Sequence, residues 1–293
     1  MPLVAVLLVL GAALAHAGWN ILAHGVSRIG WPFLWWGAVA SAVLWIGAIP
    51  LTGGLGEASA GAFLLGVGVS GALHVVYMLV LQRGYRLGRL STVYTAARGT
   101  GPTISMVLAV ALLGERPSGI ALAGGALVLV GVVLTGLADR EARALRAPRG
   151  SGRRLDPGLL AGLLTGVAIA VYTIWDAQAI RGLGVSPVAY VAGYSAAEAV
   201  LFSALPTRRW RELGPVIRAH WPRVLAFGVL SPLSYALVLA AIGLAPVALV
   251  APMREVSVVL VSLFGALVLR EGRTAARVGA SAVVLAGIVL VSV

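Results

Sequence analysis

Four ionisable side chains stand inside runs that are otherwise apolar. Arg98 lies in VYTAARGTGPTIS. Glu198 lies in AYVAGYSAAEAVLF. Arg254 and Glu255 sit side by side in PVALVAPMREVSVVLVSLFGALVL, residues 246–269. Charge at the centre of a bilayer costs about 2.5–3.5 kcal/mol per residue on insertion scales, so each group needs a partner or a task. A guanidinium offers a fixed fork of donors that matches a carboxylate or phosphate. Arg98 and Arg254 are therefore candidates to grip an anionic group, or to be held structurally by an intramembrane acid. Tyr94, Arg98 and Ser105 share one helical face. Gly99, Gly101 and Pro102 loosen the helix just beyond, where neighbouring helices or water must serve the freed backbone. Arg254 and Glu255 are about 100° apart on an ideal helix, so they are not expected to neutralise each other within the turn. Glu255 is then a partner for one arginine or a group that couples movement to protons.

Further polar stripes follow helical spacing. Tyr190, Tyr194 and Glu198 recur at every fourth position, and a buried Glu198 is a candidate proton carrier or a salt-bridge partner of Arg98 or Arg254. His16, Asn20 and His24 form a second stripe, read as cavity lining or as interhelical hydrogen bonds. Tyr172 and Asp176 form a third, with Asp176 near its helix end in a solvated or interfacial place. His74, Tyr77, Ser231, Ser234 and Tyr235 are weaker candidates. Trp31, Trp35 and Trp36 suggest an interfacial belt. No metal quartet, phosphate-cradling glycine loop, nucleotide motif or Ser/His/Asp arrangement is visible. Neither a cofactor, a metal nor an enzymatic activity is expected, and ATP-driven transport would need a partner.

The elements that must position these groups are membrane spans. Of 293 residues, 60% are hydrophobic and only 11% charged, against about a quarter charged in soluble domains. Cysteine is absent, which excludes disulfides and thiolate metal sites. All 22 basic residues are Arg, as a GC-rich genome would favour, and the net charge is +12. Most of that charge lies in loops between apolar runs, which points to topology control and not to nucleic acid. A span needs about 20 apolar residues, and ten windows qualify, roughly 3–24, 31–51, 60–82, 90–113, 117–138, 157–180, 187–206, 222–242, 246–269 and 273–292. The first has no basic start and reads as a retained helix, not a cleaved signal. A charged linker, 139–156, separates a first five-helix repeat, 1–138, from a second, 157–293.

The halves repeat. Shifting the first by 156 positions lays LLGERPSGIALAGGALVLVGVVL (112–134) on VLREGRTAARVGASAVVLAGIVL (268–290). Glu115 then meets Glu271, Gly131 meets Gly287, Trp19-Asn20 meets Trp175-Asp176, Pro50 meets Pro206, and Arg98 meets Arg254. Five helices is an odd number, so the second copy inserts upside down. The loop arginines agree, because their bias reverses between the halves and so keeps Arg on one side of the membrane. The expected fold is an all-α integral membrane protein of ten transmembrane helices, two inverted five-helix repeats around a central cavity. By the positive-inside rule the linker is cytoplasmic and both termini are outside.

With this repeat, the LLGERPSGIALAGGALVLVGVVL join and the Gly101-Pro102 of helix four, the chain resembles the drug/metabolite transporter superfamily, of the ten-helix EamA type, over its whole length. The resemblance implies a basket of helices working by alternating access on amino acids, other small metabolites or drugs, often outward. Ten-helix members are usually drawn with both termini cytoplasmic, and the arginine count here argues the opposite.

The expected function is a secondary active transporter of a small anionic or zwitterionic metabolite, in a bacterial inner (plasma) membrane, as a monomer or weak dimer. Arg98 and Arg254 would grip the anionic group. Tyr94, Asn20, His16, Tyr194, Tyr172 and Tyr235 would line the site. Glu198, Glu255 and Asp176 would serve coupling, possible with protons, or charge pairing. Two rivals are a lipid or lipid-linked phosphate translocase and a drug or cation exporter that binds through the acids. The topology has a direct test, because the chain carries no cysteine of its own. In intact cells a Ser151→Cys variant is expected to resist a membrane-impermeant maleimide, and a Pro2→Cys variant to react with it. The reverse pattern would overturn the charge-based orientation.

Overall fold

The computed structural model describes residues 1–22, 26, 29–87, 90–144, 157–205, 208–267 and 274–292. His24, Pro206, Glu271 and linker residues 145–156 lie outside the described residues. Among the described residues the named elements are all helical: α1 (Leu3–Leu22), α2 (Trp31–Ile46), α3 (Ala60–Leu87), α4 (Leu90–Leu112), α5 (Gly119–Ala144), α6 (Pro157–Arg181), α7 (Pro187–Ala204), α8 (Leu213–Leu244), α9 (Val247–Met253), α10 (Val256–Leu267) and α11 (Thr274–Ser292). Helices within Leu3–Leu22, Ala60–Leu87, Pro157–Arg181 and Arg209–Leu244 are long and apolar enough to cross a membrane.

Three windows differ from expectation. The ninth is not one helix but two, α9 and α10, meeting at Arg254 and Glu255. Pro252 cannot donate to the carbonyl one turn back. The chain then tightens, with Glu255 N bonded to Pro252 O at 3.0 Å, Ser257 N to Arg254 O at 3.3 Å and Val258 N to Glu255 O at 2.9 Å. These three-residue bonds are those of a 3₁₀ turn. The eighth window begins early, at Leu213, and bends at His220, where φ is −132°. The fifth runs on through 139–144, so the linker's first residues are helical.

The chain forms two compact units that do not follow the sequence halves. One comprises Met1–Val6, Tyr77–Ile174 and Ala245–Val293. In it α5 lies along α11, and α4 along α9 and α5. Glycine allows the close approaches. A Cβ on Gly287 would stand 2.7 Å from both Gly124 O and Val128 N, and one on Gly131 would stand 2.9 Å from Val284 N. Gly162 and Gly166, one turn apart on α6, press likewise against Val93 and Thr100 of α4. Small residues at such crossings let backbones meet where lipid gives no hydrophobic drive. Val128, Val132, Val258, Val259 and Val284 fill the space between α5, α10 and α11. Glu115, in the join between α4 and α5, accepts from Val247 N at 2.8 Å and Ala248 N at 2.9 Å. Its carboxylate thus serves two of the donors that the start of α9 leaves open.

The other unit comprises Leu7–Val76 and Trp175–Leu244. There α2 packs on α7 and α8. The tryptophans expected as a belt are used for bonding. Trp31 Nε1 donates to Phe202 O at 3.1 Å, Trp35 Nε1 to Ser203 Oγ at 2.8 Å and Trp36 Nε1 to Leu213 O at 3.0 Å. An indole N–H needs an acceptor, and Phe202, in the last turn of α7, has a carbonyl to spare for Trp31. Ser186 and Pro187 start α7, the serine side chain accepting from Ala189 N at 3.3 Å. Helices made equivalent by the 156-residue shift therefore lie side by side: α2 with α7, α4 with α9, α5 with α11.

The α5–α11 crossing carries a stability prediction. Gly287→Ala overfills backbone contacts and is expected to cost about 1–3 kcal/mol. Gly279→Ala, on the same helix with nothing within 4 Å, is expected to be tolerated. Thermal unfolding of both variants in detergent decides it, and equal midpoints would contradict the tight crossing.

Candidate functional site

Each unit holds one buried polar cluster. In the first, α4 brings Arg98 and the α9–α10 turn brings Arg254 and Glu255. Arg98 Nη1 donates to Glu255 Oε1 at 3.1 Å and Oε2 at 3.3 Å. Arg254 Nε lies 3.7 Å from the same Oε1. Glu255 is fully buried, and the side chains of Arg98 and Arg254 are 12% and 8% exposed. Both guanidiniums thus converge on one carboxylate. The expectation that Arg254 and Glu255 do not neutralise each other is corrected. The 100° offset belongs to a regular helix, and the tight turn after Pro252 replaces that geometry.

Tyr94, one turn before Arg98, sets its ring 5.4 Å below the guanidinium carbon, a cation–π contact. Tyr77 and Tyr172 meet edge to face at 5.6 Å. Ser105 shares the face of Arg98 but bonds to Gly101 O at 2.9 Å, and Thr103 bonds to Gly99 O at 2.6 Å. Hydroxyls of α4 itself thus bond two of the carbonyls just before Pro102.

The second cluster centres on Asp176. This residue is near the end of α6, yet it is wholly buried and not solvated. The reason is its surroundings, since α3, α7 and α8 all send hydroxyls to it. Ser70 donates to Oδ1 at 2.7 Å, Tyr190 to Oδ1 at 2.7 Å, and Tyr235 makes a short bond to Oδ2. His74 Nε2 lies 4.0 Å from Oδ2. The His74 ring stacks on Tyr194 at 4.7 Å and meets Tyr235 edge-on at 5.6 Å. Glu198, one turn beyond Tyr194, is 9% exposed. On α1, Asn20 donates to His16 O one turn back at 2.7 Å, and the His16 ring meets Trp19 at 5.0 Å.

Sequence reasoning ranked His74 low and passed over Ser70. The one available signal was their spacing of four, which puts both on one face of α3. Among the described residues no group of three or more His, Asp or Glu is placed to hold a metal ion.

Residues 156–293 match the EamA-like transporter family. A solved structure titled only "Crystal structure of protein" is similar with a TM-score of 0.73 at 20% identity, over 98% of this chain and 95% of that one. At that identity the likeness speaks for the fold. No curated protein matches the chain.

The arginine cluster makes an energetic prediction. Removing the acid from a buried pair leaves uncompensated charge and costs about 3–5 kcal/mol. Glu255→Gln should therefore destabilise strongly, and adding Arg98→Gln should cost less than the sum of the two single changes. Unfolding by denaturant in mixed micelles measures this, and strict additivity would mean the two side chains do not interact.

Proposed function

From the match of residues 156–293 to the EamA-like transporter family, of the drug/metabolite transporter superfamily, we propose a secondary carrier for a small anionic or zwitterionic metabolite. The family match supports reading the chain as a multi-pass membrane transporter of a small molecule. Alternating access between two inverted five-helix repeats is our reading of the mechanism. The side-by-side packing of α2 with α7, α4 with α9 and α5 with α11 supports it.

One observation carries the substrate class. Arg98 and Arg254 share a single carboxylate, Glu255, so these three side chains together hold one positive charge. They meet at a break between two short helices, the kind of discontinuity at which transporters of other folds hold charged solutes. An anionic group of the solute is the natural fourth member. Arg254 is the cleaner arginine to test, since Arg98 makes the direct bonds to Glu255. Tyr94 and Tyr172 flank the cluster. Of the three acids that a cation exporter would use, Arg98 holds Glu255 and three hydroxyls hold Asp176, which leaves Glu198.

A screen of purified protein against acidic, zwitterionic and basic metabolites separates the readings. Acidic or zwitterionic compounds are expected to raise the melting temperature. A ligand at one hundred times its Kd contributes about 2.7 kcal/mol. Arg254→Gln should remain folded and lose both this shift and uptake of the same compound into proteoliposomes. Stabilisation by cations alone, unaffected by Arg254→Gln, would sink the proposal.

A further inference from the structure

The Asp176 cluster is built around an acid, hydroxyls and an imidazole, and its geometry suits a ligand other than an anion. His74 Nδ1 lies 2.9 Å from Ser70 O. A carbonyl only accepts, so Nδ1 carries the hydrogen. The Ser70 hydroxyl, 3.2 Å from the same nitrogen, has its own proton directed to Asp176 Oδ1 at 2.7 Å. The neutral ring must then hold its lone pair on Nε2, the atom that faces Asp176 Oδ2 at 4.0 Å. A lone pair facing a carboxylate is repelled by it. A proton added there turns the contact into an ion pair.

We propose that His74 Nε2 is a proton-binding site, in which the incoming proton makes an imidazolium held against the Asp176 carboxylate. The proton comes from water and forms one N–H bond; no other bond breaks. The ring is prepared for it on each side. Tyr194 of α7 stacks on its face, and a π face favours a cation. From α6 the group facing it is Asp176. From α7 come Tyr190, Tyr194 and, beyond them, Glu198. From α8 comes Tyr235. Three hydroxyls on Asp176 spread its charge without cancelling it. In a carrier this site couples proton movement to the solute. That coupling rests on the transporter reading; the proton site itself does not.

Histidine-ring NMR of the full chain in nanodiscs tests it without any solute. The chain has four histidines, and loss of a signal in His74→Gln identifies the ring. The expected result is an Nδ1–H tautomer that becomes doubly protonated reversibly between about pH 5 and 8. Asp176→Asn removes the charge facing Nε2, whereas Tyr235→Phe removes a hydroxyl that shares it. The two variants should displace the titration in opposite senses, the first by about 1–3 pH units. If Asp176→Asn does not fold, Tyr235→Phe alone still decides. An Nε2–H neutral tautomer, a ring that does not titrate, or a titration unmoved by the folded variants would overturn the proposal. If His74 behaves as expected but no acidic or zwitterionic metabolite is bound or moved, the anion-carrier reading fails and the proton site stands.

Discussion

A carboxylate with no exposed surface has to find its counter-charge within the protein, and for Glu255 that means Arg98 at 3.1 Å and Arg254 at 3.7 Å. Much of the first unit can be read from this demand. Hydrocarbon offers no water to soften an unpaired charge, so the three side chains must be delivered together. Delivery requires the chain to bring two adjacent residues toward one point, which a regular helix does not do. Pro252 provides the interruption. Glu115 then holds the start of the resulting seven-residue helix through two backbone N–H groups, at a length where helical propensity alone stabilises little. The charged join between α4 and α5 and the charged turn between α9 and α10 are thus parts of one arrangement.

The two polar clusters solve the burial of acid differently. Glu255 is balanced by full positive charges. Asp176 is balanced by three neutral hydroxyls and a ring that carries charge only when protonated. The first arrangement is fixed at any physiological pH, because guanidinium does not deprotonate there. The second contains the one side-chain type whose ordinary titration falls in that range. The contrast between a permanent charge and a titratable one follows from residue type before any distance is considered.

What could be read from the sequence depended on how far each interaction reaches. Spans were legible because apolar length is local. Arg98, Arg254 and Glu255 were legible because charge in an apolar run is conspicuous, and the 156-residue shift singled out the arginines as equivalent. The contact between Arg254 and Glu255 was not, since it follows from a backbone irregularity and the spacing rule assumes none. Asp176 was misplaced because its position was judged along α6 alone, while Ser70, Tyr190 and Tyr235 close over it from 106, 14 and 59 residues away. Serine and tyrosine are ordinary in apolar helices, so nothing in their types announced a shared partner. The division into two compact units was hidden for the same reason, as it runs through α1, α3 and α6.

The 157 residues that separate Arg98 from Glu255 are also a span of time. At about 5–20 residues per second of synthesis, the arginine leaves the ribosome roughly 8–30 seconds before its carboxylate exists. During that interval Arg98 has no Glu255 to pair with. The pair that anchors the finished unit is therefore a debt carried through biogenesis, and α4 cannot take its final place until the ninth apolar window has been made.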